Sequence, residues 1–440
     1  MSTAEHRHRR NIALLWAGQF TNTAGLMMLV PIMPFYIEGM GVTGTAQVQT
    51  WAGVAIAAPA LALTAATPLW GRLGDRIGRH WMVVRALAGL ALSMVVMALA
   101  ANPVVLVAGR LLQGSLGGVV EAAQAFAGSA APGGKRGAAL GKSFSATAAG
   151  SLIGPLAGGF LVGAGGLSGL MLAVGAIAGL LAVACAAGLR EPRSAEPAVR
   201  GTGHASRGGF RRLPGALPLA VAAVAAYFGV YGLIPVFAEH VQRSYPADGA
   251  GMWVGVFQSL TWGATLLGSF WWGRHNDLAQ RPVRALTIAS GVCAVSIAAQ
   301  ALPLGAVGLA LLRLVQGAAF AGLAQSLFFH VSRHAPADRR SGLIGTANSF
   351  LLAGQSAGPL LAGPMAAVFP PALSIVLMGA AGALAFACCL PVARAERARG
   401  TAAASTLPVK RRMSGELDLP AERTIPIAVG GNSGGSRLER

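Results

Sequence analysis

"TPLWGRLGDRIGRH", residues 67–80, crowds Arg72, Asp75, Arg76 and Arg79 among three glycines, Gly71, Gly74 and Gly78. The run before it, "VQTWAGVAIAAPALALTAATPLW" (48–70), is apolar and long enough to cross a bilayer as a helix. The charged stretch then returns: "WGRLGD" at 70–75 reappears as "WGRHND" at 272–277. "RLLQG" at 110–114 reappears as "RLVQG" at 313–317, and "GSLIGPLAGG" at 150–159 as "GQSAGPLLAG" at 354–363. The offsets are 202, 203 and 204 residues, in the same order. Three echoes at near-constant spacing indicate a duplication, so two equivalent halves are expected.

The rest of the chain fits repeated membrane crossings. It is 54% hydrophobic and only 11% charged, with a mean hydropathy of +0.59; soluble domains carry about a quarter charged residues. A bilayer core admits only helices or closed barrels. These runs are continuous rather than alternating, which predicts helices. Twelve spans are expected, at 12–36, 47–70, 82–101, 104–127, 139–163, 168–189, 216–240, 251–272, 284–304, 305–329, 342–368 and 372–391. The first run is too long for a cleavable signal peptide and ends without a small-residue cleavage site, so it reads as a signal-anchor helix.

Thirty-one of the 34 lysines and arginines fall in residues 1–11, 71–85, 135–142, 190–215, 274–284, 333–340 and 394–440, the termini and the loops after even-numbered spans with the span ends beside them; only Arg110, Arg243 and Arg313 do not. Positive residues mark the cytoplasmic side. Both termini are therefore expected in the cytoplasm of a multi-pass protein of the bacterial inner membrane. The net charge of +19 reads as this topological bias plus attraction to membrane lipid headgroups, with no nucleic-acid partner expected. The expected division is a basic N-terminus (1–11), a six-helix bundle (12–189), a Gly-rich basic linker (190–215), a second bundle (216–391) and a disordered tail (392–440). Cys185, Cys293, Cys388 and Cys389 and the eight histidines show no metal spacing, so no metal or cofactor is expected. Seven of the eight tryptophans, all but Trp262, fall near span ends and read as an interfacial belt.

These motifs resemble those of the major facilitator superfamily, across about residues 10–391. "GRLGDRIGRH" is similar to its signature between helices 2 and 3, "RLLQG" to its helix 4 signature, and "GSLIGPLAGG" to the helix 5 signature of its drug and metabolite antiporters. "PIMPFYIEGMGVTG" resembles the first helix and loop of its twelve-helix multidrug group. The resemblance implies an all-α membrane protein of two pseudo-symmetric six-helix bundles, with a substrate site at the midplane between them and alternating access.

Each motif also has a physical reading. Gly71, Gly74 and Gly78 permit a tight turn and close helix approach, while Asp75 can meet a helix N-terminus and Arg72, Arg76 and Arg79 can pair around it. The expectation is a conformational latch; the second copy keeps Asp277 but loses the later glycines. On span 4, Glu121 is the only acidic residue deep in any span. Eleven residues from Arg110, it would share that residue's face of an unbroken helix, about 16 Å away. An ionisable group at membrane depth faces a cavity or a proton path, so Glu121 is expected to exchange protons or bind a cation, with Arg110 tuning it. Gly150, Gly154, Pro155, Gly158 and Gly159 give span 5 a small-residue face and a bend. Gln19, Asn22, Gln113, Gln124, Tyr227, Tyr231, Gln258, Trp262, Asn348 and Gln355 are polar or aromatic candidates for lining a cavity.

"GAALGKS" (137–143) has three residues rather than four between its first glycine and Gly-Lys, so it is not a phosphate loop. The function expected is proton-coupled secondary export of small amphipathic molecules, either drugs or a self-made metabolite such as a siderophore, by a protein working as a monomer. The alternatives are proton-coupled import of a small solute on the same fold and, behind it, a non-transporting membrane receptor or enzyme. No nucleophile–base constellation points to an enzyme.

Overall fold

A computed structural model describes residues 3–120, 122–123, 126, 136–162, 166–189, 210–245, 249–336 and 340–405. Met1–Glu396 form one compact unit and Arg397–Arg440 a second. The described residues are helical, without strands. The helices of the first repeat are α1 (Thr3–Leu29), α2 (Met33–Gly39), α3 (Thr45–Ile77), α4 (Arg79–Ala98), α5 (Pro103–Leu116), α6 (Arg136–Val162) and α7 (Leu167–Gly188). Those of the second are α8 (Ala216–Ser244), α9 (Ala250–Ala279), α10 (Pro282–Ala299), α11 (Gly305–His334), α12 (Arg340–Val368) and α13 (Pro371–Ser405). α1 and α2 share the first of the twelve expected spans, and each of the other helices overlies one of the rest. Eight of the described helices are long and apolar enough to cross a membrane.

Proline and glycine account for the departures. The first span is not one helix to residue 36: α1 stops at Leu29 before Pro31, and α2 restarts with Pro34 in its first turn. Gly71 and Gly74 do not shape the turn expected at the charged knot, because α3 runs through both. Gly78 alone makes it, with φ 97°, capping α3 and opening α4 at a single residue. The fourth span is broken too. α5 ends at Leu116, and Gly118 has φ 92° before a new turn begins, its Ala122 N–H donating to the Gly118 carbonyl. Adjacent glycines carry the largest backbone entropy and lack side chains to hold a helix. Arg110 and residue 121 therefore do not share an unbroken helix, and the common face expected for them is withdrawn. α13 continues past residue 391 to Ser405 through the alanine- and arginine-rich "VARAERARGTAAAS", a run of mostly good helix formers.

The packing repeats. α1 lies on α6 and α3 on α5; in the same way α8 lies on α12 and α9 on α11. Two further pairings, α3 with α12 and α6 with α9, join the repeats.

Candidate functional site

The joints between the repeats are built from glycine. A methyl group at Gly150, Gly154 or Gly158 would meet the α1 backbone at Phe20, Ala24 or Met28. One at Gly354 or Gly358 would meet α8 at Val224 or Phe228. This face of each motif binds its own repeat. Its other face crosses: Gly255 of α9 lies on the Pro155 carbonyl and Gly159 on Gly251 and Gly255. Reciprocally, Gly53 of α3 lies on the Pro359 carbonyl and Gly363 on that of Gln49. Small residues let backbones close to contact where lipid supplies no hydrophobic drive. The Ser259 hydroxyl adds a hydrogen bond across the α6–α9 joint, 2.8 Å to the Leu152 carbonyl. The partner glycines Gly53 and Gly255 escaped the sequence reading, although they stand 202 residues apart like the other echoes.

Both joints lie at the end opposite the arginine-rich turns, near the first residues of α3 and α9 and the last of α6 and α12. There Gln242 of α8 also donates to Glu38 of α2, 3.0 Å. Burial along α3 reports the asymmetry. From Val48 to Pro59 it is mostly buried, whereas Leu61, Thr64, Ala65, Thr67 and Leu69 are exposed. On α12, a Cβ at Gly342 or Gly345 would meet open space, and Asn348 is exposed. The repeats thus pack at one end and part at the basic end.

Paired tryptophans brace that basic end. Trp70 Nε1 donates to the Ser115 carbonyl (2.6 Å) and Trp272 Nε1 to that of Ala318 (2.8 Å). Trp70 thus ties α3 to α5 and Trp272 ties α9 to α11. For these two the interfacial-belt reading falls short: they are interhelical pins, and their repetition at 70 and 272 was the available signal. Arg85 lies over the Trp70 ring at 3.8 Å and donates to the Gly117 carbonyl at 2.7 Å, satisfying a group the glycine break leaves open.

Arg110 is fully buried, its Nε donating to the Ala55 carbonyl (2.9 Å) and Nη1 to Gln113 Oε1 (2.8 Å). Arg313, its counterpart, is also buried but lies over the Phe237 ring at 3.5 Å.

The second repeat contributes an aromatic group. Tyr227 and Tyr231 stack at 5.6 Å, Phe320 meets them at 5.2 and 6.0 Å, and Trp262 stands edge-on to Phe320 at 5.9 Å. The buried Trp262 Nε1 has no protein partner. The sequence reading missed Phe320. Its equivalent in the first repeat, at an offset of 203, is Gly117. One repeat therefore has a broken fourth helix where the other has a continuous helix and an aromatic side chain.

The structure brings together Arg110 with Gln113, and Tyr227 and Tyr231 with Trp262. The others are dispersed. Gln19 is buried and donates to the Leu15 carbonyl at 3.2 Å; Asn22 and Gln355 are half-buried, Gln258 is buried and Asn348 exposed. Arg76 and Asp277 are exposed. Gln280 in the left-handed region ends α9, and Arg333 of α11 holds its carbonyl at 2.6 Å. Glu121, Gln124 and the side chains of Arg72, Asp75 and Arg79 lie outside the described residues. Among the described residues no group of His, Cys, Asp and Glu is placed to hold a metal.

Comparison with known proteins agrees with this architecture. The family model described as Major Facilitator Superfamily matches residues 15–310 and 219–423. The staphyloferrin B transporter of Staphylococcus aureus (strain NCTC 8325 / PS 47) is 35% identical over 380 residues, 84% of this chain and 90% of that protein. Multidrug resistance protein MdtG of Escherichia coli (strain K12 / DH10B) is 38% identical over 159 residues, 36% of this chain and 39% of its own. Among solved structures, a bacterial homolog of the human lysosomal transporter Spinster, inward-facing and unoccupied, superposes with a TM-score of 0.72 at 17% identity, covering 90% of this chain and 98% of that one. The D-xylose-proton symporter gives 0.67 at 16%, over 86% and 96%. The chain belongs to the Major Facilitator Superfamily and is a membrane transporter, not an enzyme.

Proposed function

We propose that this protein exports small amphipathic molecules across the bacterial inner membrane, exchanging them for protons by alternating access. The carrying observation is the reciprocal pair of glycine joints, packed at one end and parted at the other. Joints without side chains can close to backbone contact and separate without unthreading anything, which suits rocking of one repeat on the other. With the basic end cytoplasmic, the state described opens to the cytoplasm. Asp75, with Arg76 and Arg79, would latch the basic end when it closes.

The aromatic group around Phe320 offers π faces to an amphipathic substrate, and the Trp262 N–H offers a hydrogen bond. Protons would pass through Glu121, with Arg110 beside the path. An apolar hollow of ≈ 530 Å³ lies on α8, α12 and α13, lined in part by the exposed Leu217 and Leu384. The similarity to the staphyloferrin B transporter spans most of both chains, and that to the multidrug resistance protein little more than a third of each. This favours a self-made metabolite of the siderophore kind over foreign drugs.

The test is a deletion strain. Intracellular build-up of an otherwise secreted metabolite is expected, and complementation should relieve it. Drug sensitivity without build-up would transfer the reading to drugs, and slower uptake of a solute would mean import. In reconstituted vesicles, Phe320→Ala should raise the KM of transport about tenfold, roughly one aromatic contact, with kcat changed less. An unaltered KM would remove this group from the substrate path.

A further inference from the structure

Pro59 interrupts the hydrogen-bond ladder of α3 at one carbonyl. Proline has no N–H, so the Ala55 carbonyl four residues earlier loses its helical donor. Both residues are buried, and an orphaned buried carbonyl is costly. The Arg110 Nε–H takes the vacant place at 2.9 Å. α5 comes near enough because Gly114, one turn beyond Arg110, lies against the Pro59 backbone, where a Cβ would clash.

The second repeat is a built-in comparison. The same offsets match Ala55 to Phe257, Pro59 to Thr261, Arg110 to Arg313 and Gly114 to Gly317. Gly317 lies against the Thr261 carbonyl much as Gly114 lies against Pro59, so the helix approach is the same. Thr261, however, has its N–H, and its hydroxyl also donates to the Phe257 carbonyl at 3.0 Å. Arg313 Nε accordingly has no partner, and the guanidinium rests on Phe237. The helix approach is equivalent, and with Thr261 in place of Pro59 and Phe257, which packs on the Phe237 ring, in place of Ala55, the arginine is anchored differently.

We infer that Pro59 is a positioning residue: by withholding an N–H it presents the Ala55 carbonyl to Arg110 and fixes that guanidinium in the first repeat alone. Its importance for transport rests on the role proposed above for Arg110; the anchorage itself does not.

The experiment uses the full chain in nanodiscs with ¹⁵N-arginine. The Arg110 Nε–H signal is assigned by its loss in Arg110→Lys, and its hydrogen exchange is measured. Pro59→Ala supplies a competing N–H and should speed that exchange about tenfold, the weight of one weakened hydrogen bond to a charged group. Placing the α-hydroxy analogue of alanine at position 59 puts an ester oxygen where the N–H would be; it should restore slow exchange without a proline ring. Unchanged exchange in Pro59→Ala, or equally fast exchange in the ester variant, would overturn the inference. The pH profile of transport is recorded on the same samples. A profile that shifts in Pro59→Ala and recovers in the ester variant joins the anchorage to coupling. Faster exchange with an unshifted profile keeps the anchorage and takes Arg110 out of coupling.

Discussion

Glu121→Gln is expected to leave a protein that inserts and folds but no longer exports against a gradient. In vesicles loaded with substrate, wild-type export should rise with an imposed proton gradient and collapse with an uncoupler, while the variant should show neither response. One charge crossing 100 mV is worth about 2.3 kcal/mol, close to a fifty-fold concentration ratio at about 1.4 kcal/mol per tenfold. The variant should lose about that accumulation and retain only exchange down a gradient. Glu121 is the only acidic residue deep in any of the expected spans, and the second repeat has Ala324 at the equivalent position. A glutamine preserves shape and hydrogen bonding but cannot carry a proton. The helix that holds Arg110 ends at Leu116, and Glu121 lies outside the described residues. Gradient-driven accumulation at wild-type level in Glu121→Gln would remove this residue from the mechanism.

Spans and duplication were legible because their signals are long-range in composition: twenty apolar residues, or three motifs at one spacing, survive any local irregularity. Span 5 and span 11 were legible as interfaces for the same reason, since a bent glycine face recurs at both. What escaped was whatever depends on a neighbour remote in the chain. Gly53 and Gly255 are single glycines in apolar runs; only contact with Pro359 and Pro155 marks them. Phe320 is one apolar residue among many until Tyr227, Tyr231 and Trp262 surround it. The straight fourth span failed on a local rule, two consecutive glycines, that hydropathy outweighed. Trp70 and Trp272 were visible in the repeat, but a statistical preference for membrane interfaces hid their hydrogen bonds.

Gly53→Val and Gly255→Val together are expected to stop transport while leaving insertion normal. Each valine would stand against a carbonyl of the opposite repeat, at Pro359 and Pro155 respectively. Overpacking of this kind costs about 1–3 kcal/mol per site, so the two joints together are worth about 2–6. Reversing a 99:1 population takes about 5.5 kcal/mol, so the double variant reaches complete reversal at the upper end of that range and a large partial shift below it, with each single variant shifted less. The state closed at the far end would empty in favour of one open there. With Cys185, Cys293, Cys388 and Cys389 replaced, a cysteine introduced at Gln49, buried in this state, should become reactive to a membrane-impermeant thiol reagent in the double variant. Gly169→Val is the control, because a Cβ there meets open space on α7, away from both joints; it should transport normally. If the double variant transports at the wild-type rate with Gln49→Cys still protected, the joints are static packing and the two repeats do not rock on them. If it is blocked and labelled, the same glycines that hold the repeats together set which side of the membrane the site faces.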